Sequence, residues 1–205
     1  MKKGNTKERI LMAALDLFSV KGYEGTTMEE IAQSVGIKAP TIYKYLSGKE
    51  ALLQELIDKS EAEYDAGMER NFQGADKICS GSDLKGFAMR LVEFTMDHEM
   101  AVKMRRMLMI EQYRNESFAE SATRHQITQI RTAFAAIFAD LMEKGAMIKG
   151  DPDMTALGFT APVTLMIQMS DRQPEKKQEA LATIDKYFDA FIERYCNIQQ
   201  GRKDI

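Results

Sequence analysis

The chain is poor in the residues on which catalysis, metal binding and disulfide cross-linking depend. Its 205 residues include two histidines, two cysteines and no tryptophan. Cys79 and Cys196 form no metal-ligand spacing, so we expect two reduced thiols in a cytoplasmic protein and no bound metal. Repeated Glu-x-x-His, the P-loop, Gly-x-Gly-x-x-Gly and Gly-x-Ser-x-Gly are all missing from the sequence. We therefore expect neither an enzyme nor a cofactor.

Long apolar runs and strand patterns are also missing. No stretch approaches the roughly 18 consecutive apolar residues of a membrane span, so none is expected. The basic Lys2 and Lys3 lead into the charged Lys7 rather than into an apolar segment, so we expect no signal peptide. The chain has only four prolines, 44% hydrophobic residues and little alternation of β-branched with polar residues. This composition predicts an all-α globular fold.

The charges are distributed unevenly along the chain. The net charge is −3, which disfavours the binding of a phosphate-rich polyanion. However, residues 1–49 contain eight Lys or Arg and five Asp or Glu, whereas residues 50–205 contain 20 and 26. The N-terminal segment is therefore the part of the chain that would attract a polyanion.

The same N-terminal segment carries a helix-turn-helix pattern. Thr27 and Glu30 are spaced as a capping box that begins one helix, and Gly36 can adopt the left-handed conformation that ends it. A second helix is predicted at about 39–46, held onto the first by Ile42. Such a unit places its second helix in the major groove of DNA. The alternative is a three-helix bundle with a purely structural role.

Four short motifs follow one another in this region. They are Gly22-Tyr23-Glu24-Gly25-Thr26-Thr27, Ile31-Ala32 with Gly36-Ile37, Thr41-Ile42-Tyr43-Lys44-Tyr45-Leu46, and Ser47-Gly48-Lys49-Glu50-Ala51-Leu52. Together they make residues 6–53, about a quarter of the chain, resemble the DNA-binding domain of the tetracycline-repressor (TetR) family of bacterial transcription regulators. The resemblance implies an N-terminal helix-turn-helix domain, predicted at 1–53, and a larger helical domain for ligand binding and dimerisation, predicted at 54–205.

The resemblance and the side-chain chemistry together predict the residues that contact DNA. Phosphate contacts are expected from Thr27, Tyr43, Tyr45 and Lys49. Contacts with base edges are expected from Lys38, Ala39, Thr41 and Lys44. Two alternatives remain open, namely that Tyr43 packs partly into the core and that Lys44 is simply a solvated charge.

The larger domain is unusually rich in methionine. The chain has 15 methionines, and this adaptable side chain suits a pocket for apolar small molecules. The side chains predicted to bind such an effector are Met100, Met104, Met107, Glu111, Met142 and Met166. The alternative for each methionine is ordinary core packing.

The end of the chain has two helical patterns that predict a homodimer. One helix, at about 154–169, is apolar nearly all round and contains Pro162, which should kink it. The last helix, at about 175–199, has an apolar seam with alternating steps of three and four residues: Leu181, Ile184, Phe188, Phe191, Tyr195 and Ile198. We expect two copies of each helix to form the dimer interface. The alternative is that the seam packs within one subunit.

These observations predict a ligand-responsive regulator, expected to be a repressor, that binds a palindromic DNA operator as a homodimer. The effector is expected to shift the two DNA-binding domains through the connecting helix at about 51–68. The alternative function is a constitutive DNA-binding protein of the same fold that has no small-molecule effector.

Overall fold

The computed structural model describes residues 6–114 and 116–196, and these residues form a helical protein. The α-helices are α1 (Thr6–Lys21), α2 (Met28–Val35), α3 (Ala39–Ile42), α4 (Lys49–Phe72), α5 (Gly81–Asp97), α6 (Glu99–Glu111), α7 (Glu116–Thr123), α8 (Gln129–Glu143), α9 (Pro152–Arg172) and α10 (Lys177–Tyr195). A π-helical segment, Arg124–Thr128, lies between α7 and α8. No β-strand occurs among the described residues, and the all-α prediction is confirmed.

The helices form two compact units. The first comprises Met1–Ala66 with His98–Glu120, and the second comprises Gly67–Asp97 with Ser121–Ile205. The first unit therefore takes α6 and most of α7 from the middle of the chain. The predicted boundary after residue 53, which concerns where the DNA-binding domain ends, stays a prediction.

The first unit is built around α1. The face predicted from its periodicity is buried: Ile10, Leu11, Ala14, Leu15 and Phe18. This face packs against α6, and an ion pair between Asp16 and Lys103 joins the rims of the two helices. Ile31 and Ile42 are both fully buried, and they attach α2 and α3 to the same core. The first unit is thus a helix-turn-helix supported by the packing of α1 on α6.

The second unit has an aromatic core. The ring of Phe159 on α9 stacks on Phe188 of α10, with centroids 4.7 Å apart, and lies 4.9 Å from the ring of Phe134. Phe138 of α8 stacks on Phe191 at 5.8 Å. These contacts bury one face each of α8, α9 and α10, and such offset and edge-on ring pairs are more favourable than area burial alone would give.

The apolar seam of the last helix belongs to this core, so its assignment to the dimer interface was wrong. Ile184 and Phe188 are each 1% exposed, Phe191 is 6% exposed, and Leu181 packs against the same cluster. The alternative, that the seam packs within one subunit, is what the structure shows. Ile198 lies outside the described residues. An apolar period shows that a helix face is buried, but it does not show which chain buries it.

Helix α9, expected to be buried on several sides, is buried on one side and exposed on another. Met154 is 59% exposed and Leu165 is 60% exposed. Gly158 and Ala161 are also exposed and lie between them at steps of four, three and four residues. These four residues, which we call the α9 stripe, form an uncharged line along the solvent side of the helix.

The proline inside α9 is accommodated by a contact from α10. Pro162 has no backbone N–H, so the carbonyl of Gly158 lacks its usual helical donor. The hydroxyl of Tyr187 donates a hydrogen bond to that carbonyl instead. Burial raises the pKa of the Tyr187 hydroxyl, with a smaller contribution from Tyr195, so it remains a donor at neutral pH. Helix α9 thus continues through Pro162, and the predicted kink stays a prediction.

Candidate nucleic-acid interface

Helix α2 begins with the capping box that the sequence predicts. The amide of Glu30 donates to Thr27 Oγ1 at 3.2 Å, and the amide of Thr27 donates to Glu30 Oε2 at 2.9 Å. Lys21 Nζ lies 2.6 Å from Glu30 Oε1. The hydrogen bond from Lys21, followed by that from the Thr27 amide, lowers the pKa of Glu30 to about 2. The first turn of α2 is therefore held firmly, with the side chain of Thr27 at the surface.

A glycine and an arginine end the same helix. Gly36 has φ 75°, and the amide of Ile37 reaches back to the carbonyl of Ala32 at 3.0 Å. The guanidinium of Arg9 on α1 donates to the carbonyl of Val35 at 2.8 Å. Carbonyls that a helix end would leave unpaired are thus satisfied, and the chain turns sharply into α3.

Helix α3 is shorter than predicted. It covers Ala39–Ile42 instead of about 39–46, and the next residues continue as tight turns. The amides of Tyr45 and Leu46 both point to the carbonyl of Ile42, at 2.8 and 3.0 Å. Lys38 precedes the helix but provides no side-chain cap, so the helix lacks the stabilisation that α2 receives at its start.

The residues around α3 present one buried face and one exposed face. Ile42 is fully buried, whereas Tyr43 is 53% exposed and Tyr45 is 41% exposed. Lys38 and Lys44 are exposed too, and Ala39 and Thr41 are half-buried. About half of the Tyr43 side chain is covered, so the alternative that Tyr43 packs partly into the core stays a prediction. Thr27 is exposed as well, so the exposed side chains of this region offer cationic, phenolic and hydroxyl donors.

Lys49, the eighth residue predicted to contact DNA, differs from the other seven because its ammonium is bonded within the protein. Its ammonium donates to the backbone carbonyls of Tyr23 and Thr26, at 2.9 and 3.1 Å. It also lies 4.3 Å from the centroid of the Tyr23 ring. The contact between Lys49 and phosphate stays a prediction, but its ammonium already has two acceptors within the protein.

The residues predicted to bind an effector are divided between the two compact units. Met100, Met104, Met107 and Glu111 are buried on α6 in the first unit. Met142 is buried in the core of the second unit, and Met166 packs against that core. Glu111, only 1% exposed, accepts a hydrogen bond from the amide of Glu24 at 3.3 Å. The effector site therefore stays a prediction.

Two side chains at the interface were missed in the sequence. The Arg9 guanidinium donates to the Val35 carbonyl at the end of α2, and the Tyr23 ring lies against the Lys49 ammonium; neither contact leaves a spacing signal in the sequence. Among residues 6–114 and 116–196, no group of His, Cys, Asp and Glu is arranged to hold a metal. In the same stretch, no helix combines the length and the apolar character needed to cross a bilayer.

A capped helix, a left-handed glycine and a short exposed second helix define a helix-turn-helix protein. A sequence profile described as "Bacterial regulatory proteins, tetR family" matches residues 10–56. A second profile, "AefR-like transcriptional repressor, C-terminal domain", matches residues 82–197, more than half of the chain. The chain belongs to the TetR family of bacterial transcriptional regulators.

Individual relatives agree with this assignment. A 51-residue stretch is 39% identical to IcaR of Staphylococcus aureus (strain Newman), the negative transcriptional regulator of the biofilm operon icaADBC. This match spans 25% of the chain and only 27% of IcaR. A TetR-family regulator from Mesorhizobium loti MAFF303099 has a similar fold, with TM-score 0.68, 24% identity and coverage of 96% of this chain and 99% of that one. A similar fold is also found in SmeT, the repressor of the Stenotrophomonas maltophilia multidrug efflux pump SmeDEF. The comparison gives TM-score 0.66 and 18% identity, and it covers 96% of this chain and 93% of SmeT.

Proposed function

We propose that the protein is a cytoplasmic transcriptional repressor that binds a palindromic operator in double-stranded DNA as a homodimer. The observation that carries this proposal is the surface around α3, where Tyr43, Lys44 and Tyr45 are exposed directly beside the fully buried Ile42. A four-residue helix with a single anchored side contributes little to a core. Its exposed side has the donors that a DNA groove and its phosphates accept.

Each exposed residue has a proposed contact. Thr27 is the N-cap of α2, and the first-turn amides of Met28 and Glu29, which the capping box does not use, favour a phosphate. Tyr43 and Tyr45 donate phenolic hydrogen bonds to phosphate oxygens. Lys38 and Lys44 reach guanine O6 and N7, while the methyl groups of Ala39 and Thr41 meet thymine methyl groups. Phosphate contacts would set the register of the protein on the duplex, and base contacts would supply the sequence preference.

The α9 stripe supports the homodimer. The two large exposed apolar residues of α9, Met154 and Leu165, flank two small residues, Gly158 and Ala161, that would permit close approach of a second helix. We propose that α9 packs against α9 of a second copy, and that the exposed side of α10 completes the interface. Two subunits would present two α3 helices to half-sites separated by about one helical turn, roughly 34–36 Å, or a multiple of it.

Repression is supported by relatives, because IcaR is a negative regulator and SmeT is a repressor. A small apolar effector is supported by the methionines of α6 and by Met142 and Met166, since thioether side chains adapt to varied ligands. We propose that such an effector weakens operator binding.

Operator binding is tested with DNA from upstream of the protein's own coding sequence. Fluorescence anisotropy compares a duplex of that DNA with a scrambled duplex of equal length and composition, at several salt concentrations. We expect affinity for the upstream duplex at least about a thousandfold tighter at physiological salt. DNase I footprinting should protect an inverted repeat. Equal affinity for both duplexes with no protected repeat would contradict the proposal.

The effector is tested separately from the operator. A panel of apolar small molecules is screened for a rise in melting temperature, and each positive compound is added to the operator assay. A compound that raises the melting temperature and weakens operator binding supports the sensor function. Compounds that stabilise the protein and leave operator affinity unchanged would favour the constitutive DNA-binding alternative.

A further inference from the structure

The 22–27 turn between α1 and α2 is held by side chains from α4, α6 and α7. Lys49 begins α4, Glu111 ends α6, and Phe118 of α7 meets the ring of Tyr23 edge-on at 6.2 Å. All of these residues lie within the first compact unit. A surface turn normally needs only its own backbone hydrogen bonds. Contacts from three more helices indicate that its position matters to the unit as a whole.

The contact from α4 is made by the ammonium of Lys49. Two of its three N–H groups donate to the carbonyls of Tyr23 and Thr26, at 2.9 and 3.1 Å. The ammonium also covers the face of the Tyr23 ring at 4.3 Å, a favourable cation–π distance. Charge-assisted bonds of this kind are about twice as strong as neutral ones. A phosphate would have to compete with three partners that Lys49 already has.

The contact from α6 is made by the carboxylate of Glu111. This side chain is 1% exposed, and its Oε1 accepts the amide N–H of Glu24 at 3.3 Å. The carboxylate also fills the space beside Gly22, whose φ is 78°, so that a Cβ at Gly22 would collide with it. A buried carboxylate is costly unless it is hydrogen-bonded, and here part of its compensation is the backbone of the turn.

The turn leads directly into the first DNA-facing residue. Thr26 is 1% exposed, and its hydroxyl closes the turn from inside by donating to the carbonyl of Gly22 at 2.9 Å. The next residue, Thr27, is the N-cap of α2. Any displacement of the turn would therefore move the start of α2.

We propose that Lys49 and Glu111 are positioning residues for operator binding, which hold the 22–27 turn so that the N-terminus of α2 meets the DNA in one orientation. Lys49 acts on the DNA through the turn, and not by neutralising a phosphate. This inference rests on the proposed function, since it assumes that the protein binds an operator.

Electrostatics and positioning predict different outcomes for the two residues. If only charge matters, removal of the Lys49 cation weakens binding and removal of the Glu111 anion strengthens it. If both residues position the turn, removal of either set of hydrogen bonds weakens binding. Substitutions at Lys49 and Glu111 therefore distinguish the two explanations by the direction in which operator affinity changes, and not only by the size of the change.

The first experiment compares Lys49→Met with Lys44→Met, which removes the same charge from the exposed surface beside α3. Operator affinity is measured by anisotropy on the upstream duplex from 50 to 300 mM salt. For a dimer that loses one cation from the DNA in each subunit, the slope of log K against log salt should fall by about 1.8. We expect that change for Lys44→Met, because a cation that meets a base edge in the groove also lies in the field of the phosphates and displaces counterions. For Lys49→Met we expect about tenfold weaker binding with the wild-type slope.

The second experiment compares Glu111→Met with Glu111→Gln. The glutamine keeps an acceptor for the Glu24 amide but loses the charge, whereas methionine has neither. We expect Glu111→Gln to bind the upstream duplex within about twofold of the wild type. Glu111→Met should bind about tenfold more weakly, which corresponds to ~1.4 kcal/mol for the dimer, or ~0.7 kcal/mol for each subunit.

Folding is controlled in both experiments. Circular dichroism sets a temperature at which each variant is folded, and stoichiometric titration with the duplex gives its active fraction, so that affinities refer to active molecules. A purely stabilising role would leave those affinities unchanged and would overturn the inference. A slope change in Lys49→Met equal to that in Lys44→Met, or tighter binding by Glu111→Met, would overturn it too. If Glu111→Met does not fold, the salt dependence of operator binding by Lys49→Met tests the inference by itself. Absence of any preference of the wild type for the upstream duplex would instead contradict the proposed function.

Discussion

The proposed dimer interface makes a quantitative prediction for Leu165→Ala. Leu165 lies at one end of the α9 stripe and is 60% exposed in the single chain. The substitution removes three carbon groups, each of which contributes about 0.8 kcal/mol when fully buried. If the dimer buries the exposed three-fifths, each subunit loses about 1.4 kcal/mol. Both copies of Leu165 contribute in a twofold dimer, so the loss is about 2.9 kcal/mol, or roughly a hundredfold in the dissociation constant.

Sedimentation velocity over a range of protein concentrations measures this constant directly. The matched control is Val20→Ala, because Val20 is 75% exposed but lies on α1 in the first compact unit. We expect Val20→Ala to dimerise like the wild type. Operator binding by Leu165→Ala should weaken, and its binding curve should rise more steeply with protein concentration. The reason is that monomers of the variant must first dimerise before they bind the operator. An unchanged dissociation constant for Leu165→Ala, or an equal loss in the Val20 control, would refute the assignment of this interface.

Three further substitutions test individual contacts. Gly36→Ala should lower the free energy of unfolding by about 1 kcal/mol in urea titrations, because alanine is strained at φ 75°. Glu30→Gln should lower the melting temperature above pH 5 but have progressively less effect as the pH falls from 4.5 towards about 2. The lowered pKa of Glu30 stabilises the fold only while that carboxylate is ionised and bonded to Lys21. Tyr187→Phe should cost about 1 kcal/mol of unfolding free energy by leaving the Gly158 carbonyl without its donor.

Each of these has a control and a contrary outcome. Gly48→Ala is the control for Gly36→Ala, since Gly48 has open space around it but no positive φ; equal losses would show that φ is not the cause. A wild-type advantage over Glu30→Gln that stays constant from pH 6 to pH 3 would contradict the role of ionisation. Tyr113→Phe, at a site that is 91% exposed, is the control for Tyr187→Phe. A similar loss of unfolding free energy at both positions would show that the hydrogen bond to the Gly158 carbonyl is not the cause.

Local patterns were the most predictable part of the fold. Thr27, Glu30 and Gly36 act within a few residues along the chain, so their spacing alone predicted how α2 begins and ends. The apolar spacing of α1 likewise predicted its buried face. In both cases the interaction that determines the structure is short-range, and the side-chain types specify it.

Features that depend on distant partners could not be predicted in the same way. The seam on α10 has the spacing of an intersubunit contact, but its residues pack on Phe159 and Phe138, whose positions no local pattern reveals. Lys49 matches a DNA-binding motif, yet its acceptors are backbone carbonyls 23 and 26 residues earlier. Helix α3 ends at Ile42 rather than at about residue 46, because the amides of Tyr45 and Leu46 both turn back to the Ile42 carbonyl, a contact that helix periodicity does not describe.

Gly22 and Gly36 should differ sharply in a saturation mutagenesis library, although their backbone conformations are nearly the same, at φ 78° and 75°. No atom lies within 4 Å of a Cβ placed at Gly36, so asparagine, which tolerates this conformation, should survive selection there. At Gly22 the Glu111 carboxylate and the Ile110 side chain occupy the same space, so every other residue should be depleted. The two glycines would thus separate a requirement for backbone conformation from a requirement for empty volume within one domain.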